Sequence, residues 1–411
     1  MLGKLSASLV AVAALLAAAP QARAFEDTDV LPKGVRNLDV RAVSSDLDQK
    51  TDGQGNSQPL AEPLAKDLTF TQVAKEEEQL RAQELRAFLR SNNFNESDAV
   101  GQFTADLKGH VSVVAPIASY GLTDKLTFAV AVPVYAASTS LRVGFKPNAT
   151  AQAFIAALAR PENNQVASAY EAADKLNHAV ERLNTKLVTD GYRQLNDWQA
   201  RGLGDATLAA KYRFYAAGPI AVATTAGFVA PTGRTDDPDV LNDIAFGDGQ
   251  WDTFDEMAVD ERLGGDFRLD QFGKYTVQLP GRRQVRAVTA DEPIDVGYAS
   301  TRFKLGDKID AGTSVKWEPA FGLIAGVGYT YFRKFGDVYR AVSPATKGEL
   351  EKGTDQHAHN AEFVLGYSTV PFYRRKAFSV PLDAELTYIR QMSSANMPVA
   401  DQAQFDFNLY F

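Results

Sequence analysis

An all-β fold, a transmembrane up-and-down antiparallel barrel of about 12 strands, is what this sequence predicts, and about 14 strands is the other count its spacing allows. Three observations predict it: an export signal at the amino terminus, apolar residues that recur at every second position, and a final strand that stops on Phe411.

The export signal comes first along the chain. Lys4 precedes an apolar stretch from Leu9 to Ala19, and Ala22-Arg23-Ala24 forms a small-x-small cleavage site. At about eleven residues the stretch is too short to span a bilayer as a helix. Cleavage after Ala24 is expected, with residues 1–24 as signal peptide and 25–411 as a single barrel domain. Removing Lys4 and Arg23 takes the formal charge from −8 to −10. An exported acidic chain is no candidate for tracking nucleic acid. With no cysteine, it has neither disulfides nor thiolate metal sites.

Each strand is argued from its alternation. From Phe103 to Ala115 the odd positions are apolar (Phe103, Leu107, Val111, Val113), while Thr104, Asp106, Lys108, His110 and Ser112 are polar. After the turn Gly121-Leu122-Thr123-Asp124, the apolar set is Leu126, Phe128, Val130, Val132 and Val134. The pattern returns in Ala206–Phe214, in Ile220–Phe228 behind Ala217-Gly218-Pro219, and in Trp251–Leu263, where Asp255 and Glu261 interrupt the apolar face. It continues through Phe267–Leu279, Ile309–Trp317, Phe321–Arg333, Ala361–Tyr367 and Val380–Ile389. Val35–Val43 opens the set and Ala403–Phe411 closes it. Connections are alternately short (120–125, 216–219, 264–266, 318–321) and long (44–101, 136–203, 231–250, 280–308, 334–356), the layout of a bacterial outer-membrane barrel with short periplasmic turns. In the last strand Phe405, Phe407, Leu409 and Phe411 share a face, the form of strand that barrel-insertion machinery reads. Aromatic residues near strand ends suit the lipid–water boundary.

Several segments resemble a known family. Gly202-Leu203-Gly204-Asp205 leads into Ala206-Thr207-Leu208-Ala209-Ala210-Lys211-Tyr212-Arg213-Phe214. Pro231-Thr232-Gly233-Arg234-Thr235-Asp236-Asp237 and Gly247-Asp248-Gly249-Gln250-Trp251-Asp252 follow in order. With Tyr120-Gly121-Leu122-Thr123-Asp124-Lys125, these resemble the outer-membrane family linked to the meta pathway of phenol degradation, which stands with the FadL-like transporters. The resemblance covers mainly 100–270 and the last strand. It implies a monomeric barrel, without cofactor, for passive uptake of small hydrophobic or aromatic molecules. The fatty-acid branch carries an amino-terminal hatch of some forty residues with an Asn-Pro-Ala motif. Here about ten residues, Phe25–Gly34, precede the first strand and the motif is missing, so the resemblance does not extend to such a plug.

With apolar faces on lipid, the polar faces line the lumen. This expectation places Asp106, Lys108, His110, Lys211, Arg213, Glu256, Asp260, Arg262, Arg268, Asp270, Lys274, Asp310, Lys316, Glu318, Glu362, Asp383, Glu385 and Asp406 inside. Such charges either select solutes or pair and fill a narrow barrel. Two long loops, about 70–91 and 151–190, carry helical periodicity. Their Leu80, Leu85, Phe88, Tyr170, Val180 and Leu183 would form an extracellular apolar cap, either a first ligand site or a structural lid.

Sites with other chemistry are weaker. The acids of 236–252 lack the spacing of an EF-hand and read as a solvated loop, and His357 with His359 reads as an ordinary pair. His110, Ser112 and Asp106 share one face, but no Gly-x-Ser-x-Gly elbow occurs and no enzyme is expected. The expectation is therefore a bacterial outer-membrane channel. A structural or adhesive barrel with a closed, charge-paired lumen, and a general diffusion porin, are the alternatives.

Overall fold

The computed structural model describes residues 27–75, 79–163, 166–289 and 297–411. The expected signal peptide and Glu76-Glu77-Glu78 lie outside the described residues. Twelve antiparallel strands form a closed barrel: β1 (Arg36–Leu47), β2 (Ala99–Thr123), β3 (Leu126–Ala131 continued by Val134–Pro147), β4 (Trp198–Leu203 continued by Ala206–Ala217), β5 (Ile220–Ala230), β6 (Asp252–Gly264), β7 (Phe267–Gln278), β8 (Lys308–Trp317), β9 (Leu323–Lys334), β10 (Gln356–Ser368), β11 (Leu382–Ala395) and β12 (Gln402–Tyr410). β1 closes it, pairing with β2 from Arg36↔Tyr120 to Leu47↔Gly109 and with β12 from Asn37↔Tyr410 to Ser45↔Gln402. Closure leaves no free sheet edge, which a bilayer demands because it offers no water to unpaired peptide groups.

Alternation then sorts the residues. Phe128, Val130, Leu208, Phe228, Val327, Phe363, Leu365, Leu386 and Phe405 are exposed on the outer wall, as lipid-facing residues are. Among the described residues no helix is long and apolar enough to cross a membrane. Phe411 exchanges backbone hydrogen bonds with Arg36 (2.7 and 2.9 Å), so the last residue is sewn to the first strand. Phe405 and Phe411 are exposed on the outer wall, with Phe407 and Leu409 half-buried between them.

The strands outrun the membrane on the long-loop rim. β2 has 25 residues, and a strand of that length extends roughly 80 Å where about ten residues suffice to cross. This overturns one sequence expectation. On β2 the odd residues Val111, Val113, Ala115 and Ile117 are buried inside the barrel, opposite the buried Ser45, Val43, Arg41 and Asp39 of β1. Asp106, Lys108 and His110 therefore lie on the outer surface, exposed, not in the lumen. Above the bilayer water is outside and packed loops are inside, so the polarity of the two faces exchanges.

Five helices cover that rim: α1 (Phe70–Lys75), α2 (Gln79–Ser91), α3 (Ala149–Leu158), α4 (Ala167–Asn177) and α5 (Ala179–Thr189). Asn148 starts α3 by accepting a hydrogen bond from the Ala151 N–H (3.1 Å). Phe154 is the hub, with ring centroids 4.9, 5.5 and 5.9 Å from Phe70, Phe88 and Phe94. Leu85, Leu89, Ala169 and Ala172 complete this core. The apolar faces thus consume one another. Leu85 and Phe88 are wholly inside, Val180 and Leu183 pack at its edge, and Leu80 and Tyr170 stand exposed. As a ligand-receiving surface these six residues do not come together.

Two further helices lie on opposite rims, α6 (Pro344–Glu351) on the long-loop rim and α7 (Val370–Arg374) in the turn between β10 and β11. A three-stranded sheet of Gly281–Arg286, Tyr298–Lys304 and Val338–Arg340 stands over the mouth.

Candidate functional site: the loop-lined mouth and the charged lumen

Three of the four segments that gave the resemblance meet around one carboxylate. Asp205 sits between the halves of β4, where its Oδ1 accepts from the Gly233 N–H (2.8 Å) and its Oδ2 from the Asp248 N–H (3.2 Å). Thr232 Oγ1 donates to the Gly204 carbonyl and accepts from the Ala206 N–H, both at 2.9 Å. Gly247 is required here, since a Cβ on it would fall 2.4 Å from Asp205 Oδ1. These bonds fold the 231–251 loop inward rather than outward. Its Ile244 and Phe246 are then buried against Tyr135, Leu187, Tyr192 and Leu195 in the upper lumen.

The same loop walls a cavity of about 140 Å³. Val240, Leu241, Ala245, Val285, Val288 and Leu305 give it an apolar lining, with Tyr192 and Tyr339 among them. Its charged groups are engaged with each other. Arg286 holds Asp239 (2.6 Å) and the Gly191 carbonyl (2.8 Å) while lying 4.2 Å from the rings of both Tyr192 and Tyr298. Arg283 stacks 4.6 Å from Phe303, donates to the Tyr339 hydroxyl and sits 3.6 Å from Asp236. Lys334 binds Asp337, and Lys308 lies 3.8 Å from Asp252. Burial pushes the Tyr339 hydroxyl up to about 12, so it stays neutral beside Arg283 at physiological pH. An apolar cavity whose ions are mutually satisfied favours a neutral apolar guest, because an added charge would lose its hydration without finding a free partner.

Below the cavity the lumen is charged and closely paired. Lys211, Glu256, Asp260, Asp270, Lys274, Glu362 and Asp406 are buried on inward positions; Arg213, Arg268, Asp310, Lys316, Glu318, Asp383 and Glu385 are half-buried there, and Arg262 is exposed at the short-turn end. Arg268 contacts Asp270 (2.8 Å) and Glu318 (3.4 Å), Lys316 lies 3.6 Å from Asp270, and Arg41 of β1 binds Asp406. Glu256 is 1% exposed, and neither of its oxygens accepts a hydrogen bond among the described residues. Lys274 meanwhile lies 4.4 Å over the Phe254 ring.

Sequence reasoning missed a segment that enters this lumen. Residues 27–35 enter the short-turn mouth, although they are far shorter than the hatch of the fatty-acid branch. Thr28 donates its N–H (3.0 Å) and hydroxyl (2.6 Å) to Asp260 Oδ2, Lys211 Nζ donates to Asp27 Oδ1 (2.8 Å), and Arg268 donates to Asp29 Oδ2 (3.0 Å). Leu31 and Lys33 donate their N–H groups to Thr127 Oγ1 and Asp124 Oδ1. Gly121 permits the crossing, since a Cβ there would fall 2.1 Å from the Pro32 carbonyl oxygen. The available signal was the acid pair Asp27 and Asp29 just ahead of the first strand, facing a lumen that carries Lys211 and Arg268.

No family model matches the chain, and no similar sequence is found among curated proteins. Among solved structures, the COG4313 outer membrane channel from Pseudomonas putida F1 aligns with a TM-score of 0.51 and 14% identity, over 94% of this chain and 98% of that one. The fold is that of an outer-membrane barrel. A Pseudomonas aeruginosa FadL homologue (TM-score 0.33, 8% identity, 92% of this chain and 90% of that one) and the Pseudomonas putida toluene transporter TodX (0.29, 11%, 98% and 92%) also align along the barrel, too loosely to say anything about its solutes.

The remaining candidates find ordinary places in the barrel. His357 and His359 lie on the outer face of β10, where His359 Nδ1 is 2.6 Å from the Tyr329 hydroxyl. Asp236, Asp239, Asp243 and Asp252 of the acidic loop face Arg283, Arg286, Arg234 and Lys308, and among the described residues no cluster suits a metal ion. His110 is held by Asp46 (2.7 Å), while the Ser112 hydroxyl donates to the Ala136 carbonyl (3.4 Å). Histidine and serine on that face therefore serve different partners.

Proposed function

We propose that this barrel resides in the bacterial outer membrane as a monomer and passes small neutral apolar or aromatic molecules by passive diffusion. The observation that carries the reading is the mouth cavity. Its volume of about 140 Å³ is close to that of an engineered protein cavity which takes up benzene, about 150 Å³. A solute leaving water gains about 25 cal/mol for each Å² of apolar surface buried, and the paired charges of the wall ask nothing of it. From the mouth it meets the lumen charges, of which Lys211, Arg268 and Asp260 hold the amino-terminal segment in place.

The test is uptake of a neutral single-ring hydrocarbon into proteoliposomes. Leu241→Asp puts an unpaired charge into the cavity wall, at a desolvation cost of several kcal/mol. Uptake is expected to fall at least tenfold, about 1.4 kcal/mol; unchanged uptake would sink the reading. One observation favours a second reading, a closed structural barrel: the lumen is filled by ion pairs and by residues 27–35. Planar-bilayer recording separates the two, since a closed barrel gives neither conductance nor solute uptake.

A further inference from the structure

The turn between β10 and β11 differs from the other turns on the short-turn rim. β2–β3, β4–β5 and β6–β7 are joined by two residues each, whereas 369–381 runs for a dozen or so around α7. Thr369 pins its neck, donating to the Val380 carbonyl (2.6 Å) and accepting from the Leu382 N–H (2.9 Å). Within it stand Arg374, Arg375 and Lys376 with no acid between Thr369 and Pro381. Arg375 is spent on structure, lying 4.9 Å from the Phe372 ring and donating to the Ala320 carbonyl of the adjacent turn (2.8 Å). Arg374 and Lys376 are exposed and have no ion-pair partner among the described residues. The acid in the neighbouring turn, Glu318, faces Arg268 at 3.4 Å.

Aromatic side chains surround these cations. Tyr373 and Phe378 are each 48% exposed and, with Arg374 and Lys376, line one open groove. Phe372 of the same turn stacks on Tyr367, an exposed residue on the outer face of β10 (6.4 Å, 23°), so the turn that carries the groove abuts the outer wall. Phe321 and Phe411 stand exposed on the same rim. Rings of this kind sit at the boundary between acyl chains and water, and cations just beyond them meet lipid phosphates.

We infer that this turn is a binding site for an anionic phospholipid of the periplasmic leaflet. Arg374 and Lys376 take the phosphodiester, while Tyr373 and Phe378 lie along the upper acyl chains. A zwitterionic headgroup fits less well, because its ammonium meets two cations and no acid.

The test titrates the purified full-length protein in detergent with phosphatidylglycerol or with phosphatidylethanolamine, counting retained lipid by native mass spectrometry. Wild type is expected to retain phosphatidylglycerol preferentially. At about 1 kcal/mol for each cation near an anionic lipid surface, the double variant Arg374→Gln, Lys376→Gln should weaken that retention about 30-fold. Heat-modifiable gel migration verifies that the variant is folded, and Arg90→Gln with Lys352→Gln, on the opposite rim, should leave retention unchanged. Equal retention of the two lipids, or no effect of the double variant, overturns the proposal, and so does displacement by inorganic phosphate alone. A turn that served a protein partner instead would give these overturning outcomes and not the preferential retention. No step depends on solute passage, so a failed channel reading leaves this result standing, and the reverse.

Discussion

At the scale of single residues, two positions hold the segments that enter the barrel from its two ends. Asp205 accepts two backbone N–H groups from the inward loop, and hydrogen bonds to a charged acceptor contribute about 1.5–3 kcal/mol each. Asp205→Ala should therefore release 231–251, giving a loop cut at least tenfold faster by protease while β-sheet content holds. Gly121 controls the other end. Gly121→Val brings a side chain onto the Pro32 carbonyl, which should unseat residues 27–35 and raise single-channel conductance. Conductance equal to wild type would show that the segment does not limit passage. Neither residue is chemically conspicuous in the sequence. Asp205 stood inside a motif noted for its order along the chain, while its partners lie 28 and 43 residues away.

At the scale of elements, the helical cap and the barrel hold themselves together by different means. The cap depends on a phenylalanine cluster around Phe154, the barrel on its ring of strand pairings. Phe154→Ala should cost the cap about 3–5 kcal/mol. Thermal melts followed by helical and sheet signals should then separate, the helical transition falling while heat-modifiable migration persists. A single joint transition at a lowered temperature would show that cap and barrel unfold as one unit. Element by element, alternation revealed what lies inside the bilayer: Glu256, Asp260, Asp270 and Lys274 stand on inward positions, as their spacing implies. It misled wherever a strand left the bilayer. On β2, Asp106, Lys108 and His110 alternate as well as any lumen residue, because period two says that faces differ and not which face is wet. The helical stretches were legible from periodicity. That Leu85 and Phe88 are consumed by Phe154, with Leu80 left outside, is a matter of tertiary packing that no local pattern carries.

At the scale of the whole molecule, the chain divides its height between two solvents. The exposed apolar residues on the outer face of β2 stop at Val114, and the strand climbs fifteen residues further, to Ala99, roughly 50 Å along its own axis. The upper structure is backed by its own apolar core, which binds β1, β2 and β3 to the incoming loops. The barrel thus behaves as a chimney whose inlet stands well clear of the lipid. On the proposed channel reading, a raised inlet sets how far from the lipid an apolar solute leaves open water, so the height of one strand would matter there more than any single side chain.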